Sequence, residues 1–126
     1  MQFIDKESII ELSNPGVISK QLLNPDNSKS RNVTITEVHL DIGAVQPRHT
    51  HEFSEQIWYA VKGKGKLLLS DNTEKDFKAG DVVRFEEKEI HGLRNSGSDE
   101  LVYISVTSPP INFEYAYKNK KSGEKI

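Results

Sequence analysis

The sequence predicts an all-β domain closed into a sandwich or barrel. Its apolar residues come in short runs, clusters of glycine, proline and asparagine separate those runs, and no long window sustains a 3.6-residue period. With 126 residues the chain has the length of one domain, residues 1–126.

Taken in order, residues 8–12 are the only stretch that suits a helical turn, and residues 17–23 form the first strand candidate after the turn Asn14-Pro15-Gly16. Asn24-Pro25-Asp26-Asn27 closes that strand, and residues 33–42 alternate as the next. Strands follow at residues 56–61, 66–70, 82–85 and 100–107, with a weaker pair around residues 74–77 and Leu93. Gly63-Lys64-Gly65, Ser70-Asp71-Asn72, Ala79-Gly80-Asp81 and Ser96-Gly97-Ser98-Asp99 supply tight turns between them, of the length that joins antiparallel neighbours. Beyond Ser108-Pro109-Pro110, the alternating Ile111, Phe113, Tyr115 and Tyr117 predict one more edge strand, and residues 118–125 read as a solvated lysine-rich tail. The barrel core therefore spans about residues 33–107, with an amino-terminal strand arm over 1–32 and a carboxy-terminal strand and tail over 108–126.

Composition narrows the chemistry. There is no cysteine, which excludes disulfides, thiolate metal sites and thiol nucleophiles, so any metal must be held by nitrogen and oxygen. A net charge of −2 argues against nucleic-acid and anionic-membrane partners. The amino terminus has neither a basic n-region nor an apolar h-region, and no run approaches a membrane span, so a cytoplasmic protein is expected. The sequon Asn32-Val33-Thr34 then has no secretory meaning. A Gly-x-Ser-x-Gly elbow and a phosphate-binding loop are both absent.

Four histidines remain. On an extended chain residues i and i+2 point the same way, so His49 and His51 in His49-Thr50-His51 aim at one place. His91 follows the strand at 82–85 and a polar turn. Neutral imidazole is the commonest metal ligand, and three of them leave coordination positions free.

The spacing of these residues resembles that of the cupin family. Gly43, His49-Thr50-His51, Glu55-Gln56 and Gly63 fit its first motif, and Gly80, His91 and Asn95 fit its second, where Glu86 and Lys88 replace the usual proline and glycine. The resemblance, to small single-domain RmlC-like cupins of the cupin 2 conserved barrel type, implies a double-stranded β-helix or jelly roll. It also implies one divalent metal ion, Fe, Mn, Ni or Zn, held by His49, His51 and His91 with a fourth ligand. Gln56 satisfies both motif intervals and a glutamine occurs here among cupins; Glu55 is the alternative. The choice matters because a glutamine oxygen is neutral and leaves the site near +2, whereas a glutamate lowers it to about +1.

A cupin site further implies a small-molecule ligand in a pocket to which Trp58, Arg48 and Phe85 are expected to contribute, with Arg48 at the mouth. Trp58, Tyr59, Phe53 and Phe85 also suit the core, Arg84 and Arg94 suit ion pairs or solvent, Asn95 a structural role in its turn, and His39 a surface or supporting place. The function so implied is an enzyme acting on a sugar, sugar acid, diketone or aromatic compound, as a metal-dependent dioxygenase, isomerase or lyase. The alternative is a non-catalytic small-molecule binding or sensor module. Cupins commonly pair, so a homodimer is expected, with residues 9–23 supplying the contact.

Overall fold

The computed structural model describes residues 1–122. Eleven strands appear among them: β1 (Ile10–Asn14), β2 (Val17–Leu23), β3 (Thr34–Leu40), β4 (Val45–His49), β5 (Glu55–Lys62), β6 (Lys64–Leu68), β7 (Glu74–Lys78), β8 (Val82–Phe85), β9 (His91–Arg94), β10 (Leu101–Ser108) and β11 (Asn119–Lys121). Every pairing is antiparallel. One sheet has seven strands in the order β11-β1-β2-β3-β10-β5-β8, and the other has four in the order β4-β9-β6-β7. The chain is thus all-β with two sheets packed as a jelly roll, the class expected from the runs and turns. None of the described helical segments is long and apolar enough to cross a membrane.

Strict alternation builds the core. Thr34, Thr36, Val38 and Leu40 of β3 point inward while the residues between them do not, and Gln56, Trp58 and Ala60 of β5 do the same. Trp58, Phe77, Phe85, Leu93, Leu101 and Tyr103 fill the space between the sheets. The outer face of β5 is apolar too: Ile57, Tyr59 and Val61 are exposed, next to exposed Val82 of β8. Tyr59 and Phe53, read from the sequence as core residues, therefore lie outside, with Phe53 76% exposed on the loop before β5.

Four segments depart from the sequence reading, each for a local reason. Residues 8–12 make no helical turn of their own. Asp5 caps a short 3₁₀ turn over Lys6–Ser8 by accepting from the Glu7 amide, and the chain then enters β1, which pairs with β2 across Pro15-Gly16. Gly16 takes φ of +77° there, which costs glycine little. β4 was not anticipated because Pro47 interrupts its pattern; as an edge strand it tolerates the missing donor. β6 begins two residues before the expected 66–70, since Gly65 must lie against Arg94 of β9, where a Cβ would come within 2.4 Å of the Arg94 carbonyl. Residues 111–117 are no strand: Asn112 caps a 3₁₀ turn over Phe113–Ala116, and the lysines after it form β11 on β1. Residues 123–125 of the expected tail lie outside the described residues. Of residues 9–23, Leu12 and Val17 are buried in their own barrel while Ile18 is exposed.

Candidate metal centre

Two strands of the smaller sheet and the loop after one of them bring three imidazoles together. β4 and β9 pair His49 directly with His91, after a register shift that begins beyond the Gln46–Leu93 pair. Close approach makes this pairing workable: Gly92 follows His91, and a Cβ on it would fall 2.7 Å from the Gln46 carbonyl oxygen. His51 lies two residues past the end of β4. The three ring centroids stand 4.4, 4.9 and 5.1 Å apart, and one nitrogen from each ring lies within 4.8 Å of the others.

Backbone carbonyls set the tautomers of two rings. His49 Nδ1 lies 2.8 Å from the Pro47 oxygen and His91 Nδ1 2.8 Å from the Glu89 oxygen. A carbonyl only accepts, so both Nδ1 atoms carry the proton and both Nε2 atoms turn lone pairs elsewhere. Among the described residues, His51 Nε2 is buried with no hydrogen-bond partner. A buried imidazole nitrogen left in this state calls for a partner of another kind.

Gln56 completes the group. Trp58 Nε1 donates to Gln56 Oε1 at 3.0 Å, and Gln56 Nε2 donates to Thr107 Oγ1 at 2.9 Å. Indole N–H can only donate, so the amide orientation is fixed with oxygen toward Trp58. That same oxygen lies 3.1 Å from His91 Nε2. Two lone pairs thus face each other, unless the ring is doubly protonated or a cation draws on both. Burial, with the charge of His49 adding to it, holds His91 down at about 4, so it is neutral near pH 7 and a cation is the better answer. Glu55, the alternative ligand, turns to the outer face and pairs with Arg84 at 2.6 Å. The donor set three imidazoles plus one amide oxygen fits a divalent transition metal.

Burial, and then His49 and His91, likewise push His51 down to about 4. An unfolded histidine titrates near 6.5. Between those values the unfolded chain binds more protons than the folded one, so stability falls as the pH is lowered from about 6.5 toward 4. In chelator-treated protein the thermal midpoint is expected to drop steadily over that window; a flat profile contradicts the burial of neutral rings.

The turn before His91 is tied to His51. Lys88 N donates to the His51 carbonyl at 2.7 Å, and Glu86 N is capped by Glu89 Oε1. Lys88 sits at φ of +68°, at the place where the motif ordinarily has glycine. A lysine there carries left-handed strain of about 1 kcal/mol. Lys88→Gly is accordingly expected to raise stability by about 0.5–1 kcal/mol, read as a higher urea midpoint; a lower midpoint contradicts the strain.

A cavity of about 280 Å³ opens beside the histidines. His49, His51, Gln56 and Trp58 line it. Arg48 borders it as well, as expected, and its guanidinium donates to the carbonyls of Leu69 at 2.7 Å and Thr73 at 3.3 Å, which staples β4 to a neighbouring turn. Phe85 lies outside the lining: it is buried and stacks on His91 at 4.5 Å, backing the ring. Sequence reasoning did not identify Gln46, Tyr103, Ser105 or the aromatic residues after Ile111, which also line it. Phe113 meets His51 edge-on at 5.8 Å. Tyr103 and Ser105 share one face of β10 by simple alternation, a signal present in the sequence but mute about which face turns inward. Burial pushes the hydroxyls of Tyr103 and Tyr117 up, so both are neutral.

Among the other residues singled out, His39 bridges Glu37 and Glu100 on the far side of the sheet, and Arg94 pairs with Glu74 through two 2.9 Å bonds. Asn95 is 2% exposed and holds its turn by donating to the carbonyls of Leu40 and Asp99 while accepting from Gly97 N.

Comparison with known proteins agrees with this architecture. Residues 36–107 match the cupin domain family. A protein of Methanocaldococcus jannaschii described as uncharacterised is 29% identical over 103 residues, which is 82% of either chain. The structure of KdgF from Halomonas sp. is 27% identical with a TM-score of 0.72, covering 89% of this chain and 96% of that one. A conserved protein with a double-stranded β-helix domain from Klebsiella pneumoniae has a TM-score of 0.71 at 19% identity over 99% of both chains, a likeness of fold.

Proposed function

As the chain belongs to the cupin domain family, we propose that His49, His51, His91 and Gln56 hold one divalent metal ion, and that the protein is an enzyme acting there on a small oxygen-bearing metabolite. The facing lone pairs of His91 Nε2 and Gln56 Oε1, 3.1 Å apart beside the unpartnered His51 Nε2, carry the reading. All four donors are neutral, so a bound ion keeps a charge near +2. Such an ion supplies Lewis acidity to substrate oxygens at its open positions.

The chain's own contribution is orientation and exclusion of water. The Pro47 and Glu89 carbonyls hold two rings in the liganding tautomer, while Trp58 and Thr107 fix the Gln56 amide. Phe113 covers His51, and Trp58 and Phe85 pack around His91. Candidate substrates are sugars, sugar acids, diketones and oxidised aromatic compounds; candidate reactions are dioxygenation, isomerisation and elimination.

The test is to strip the protein with chelator, reload it separately with Fe(II), Mn(II), Ni(II) or Zn(II), and follow those substrate classes. Turnover that needs the metal is expected. Binding without turnover makes the protein a binding module, and neither binding nor turnover with any reloaded ion contradicts the reading.

A further inference from the structure

We infer that residues 112–117 form a hinged flap over the cavity, and that small molecules reach the histidines when this flap swings out from its Asn14 end. The inference concerns the way in, so it goes beyond the metal reading and holds whichever ion or metabolite the cavity takes.

One short turn makes up a wall of the cavity. Phe113, Tyr115, Ala116 and Tyr117 all line it. Asn112 caps the 3₁₀ turn Phe113–Ala116 by accepting from the Glu114 amide, and no residue of that turn is buried. Phe113 meets His51 edge-on, whereas Tyr115 is 72% exposed. Outward displacement of the turn therefore uncovers His51 without removing a residue of the core, which keeps the opening local.

The two ends of the flap are held differently. At the first, Thr34 Oγ1 donates to the Ile111 carbonyl at 3.1 Å and accepts from the Ile111 amide at 3.2 Å, and Ser54 Oγ donates to the Pro109 carbonyl at 2.7 Å. Thr34 and Ser54 are 1% and 4% exposed, so water competes poorly for these bonds and this end is the hinge. At the second, Asn14 Nδ2 donates to the Ala116 carbonyl at 3.0 Å and Asn14 Oδ1 accepts from the Lys118 amide at 2.9 Å, both in solvent. Tyr117 Oη adds only a long bond, accepted from Gln46 Nε2 at 3.5 Å, and β11 beyond it is three exposed residues on the edge of the sheet. Exposed bonds are readily exchanged for bonds to water, so the Asn14 end is the latch.

Opening at the latch turns the flap about Ile111 and takes Phe113 off His51. Closing returns the ring and shuts bulk water out of the cavity. Access to the site is thus set by two exposed hydrogen bonds of a single asparagine, at the end of β1, on the strand that also carries β11.

Trp58 reports on the opening, being the only tryptophan of the chain, 2% exposed and part of the cavity wall. Acrylamide, small and neutral, quenches its fluorescence by entering the cavity. In the metal-free full chain Asn14→Ala is expected to raise the bimolecular quenching constant at least about 5-fold, the effect of losing two side-chain bonds to the backbone, and Phe113→Ala is expected to raise it as well. Asp81→Ala, which removes a comparable bond to the Lys78 amide in the turn between β7 and β8, is the control and should leave it unchanged. Hydrogen exchange on the wild-type chain tests the hinge and latch without any variant: the Lys118 amide, held by Asn14, should exchange at least about 10-fold faster than the Ile111 amide, held by Thr34, after correction for intrinsic rates. Equal quenching in wild type and Asn14→Ala, an equal rise in Asp81→Ala, or an Ile111 amide that exchanges as fast as that of Lys118 overturns the inference. None of these results depends on metal, so the metal reading stands or falls separately, on reloading.

Discussion

Replacing His49 by alanine is expected to lower affinity for Zn(II) or Ni(II) at least 100-fold while shifting the thermal midpoint of the metal-free protein by no more than a few degrees. Losing a group that merely orients a ligand already costs about 10–100-fold in metal affinity, and losing the ligand itself costs at least the upper end. His49 is the right residue to change because it is only half-buried at the end of edge strand β4, so truncation opens no core cavity. His91 would confound the two effects, being 1% exposed and packed against Phe85 and Trp58. His39→Ala, on the far face between Glu37 and Glu100, is the control and should leave metal affinity unchanged. Competitive titration with a chromophoric chelator measures both. An undiminished affinity in His49→Ala would show that the imidazoles do not act together.

The second large effect is at Trp58. Its indole is 2% exposed and contacts Phe77, Phe85, Tyr103 and His91, so Trp58→Ala removes the centre of the core. A loss of about 3–5 kcal/mol is expected, enough to lower the thermal midpoint by more than about 10 °C in a chain of this size. Trp58 also fixes the Gln56 amide, and Trp58→Phe separates the two roles. Phenylalanine keeps much of the ring volume but has no N–H, so stability should fall far less than in the alanine variant, whereas metal affinity should still drop about 10-fold. Equal metal affinity in wild type and Trp58→Phe would mean that Gln56 needs no orienting donor.

Much of the barrel is legible in the sequence because inward and outward residues alternate with a period of two. Residues 33–42 and 100–107 gave up their strands in this way. β4 escaped notice since Pro47 and Arg48 break its apolar pattern, and an edge strand needs neither alternation nor every donor. β11 is made of lysines and asparagine, residues that say nothing of a strand until β1 offers its open edge.

At the centre, the two-histidine spacing was legible, and Gln56 was favoured over Glu55 by the motif intervals but not by alternation. Alternation separates Glu55 from Gln56 only if one face of β5 is polar, and here Ile57, Tyr59 and Val61 make the outer face as apolar as the inner. Pairing with Thr107 and Phe85 settles which side Gln56 occupies, and that register depends on strands far away in sequence. Ser105 stayed hidden for the same reason.

The most direct test is the metal content of protein purified without chelators or metal-affinity resin, measured by plasma mass spectrometry and followed by reloading with Fe(II), Mn(II), Ni(II) and Zn(II). The account predicts one tightly held divalent ion per chain, either as isolated or on reloading, and its loss in His49→Ala. Failure of the wild-type chain to retain any of the four ions under these conditions would contradict it.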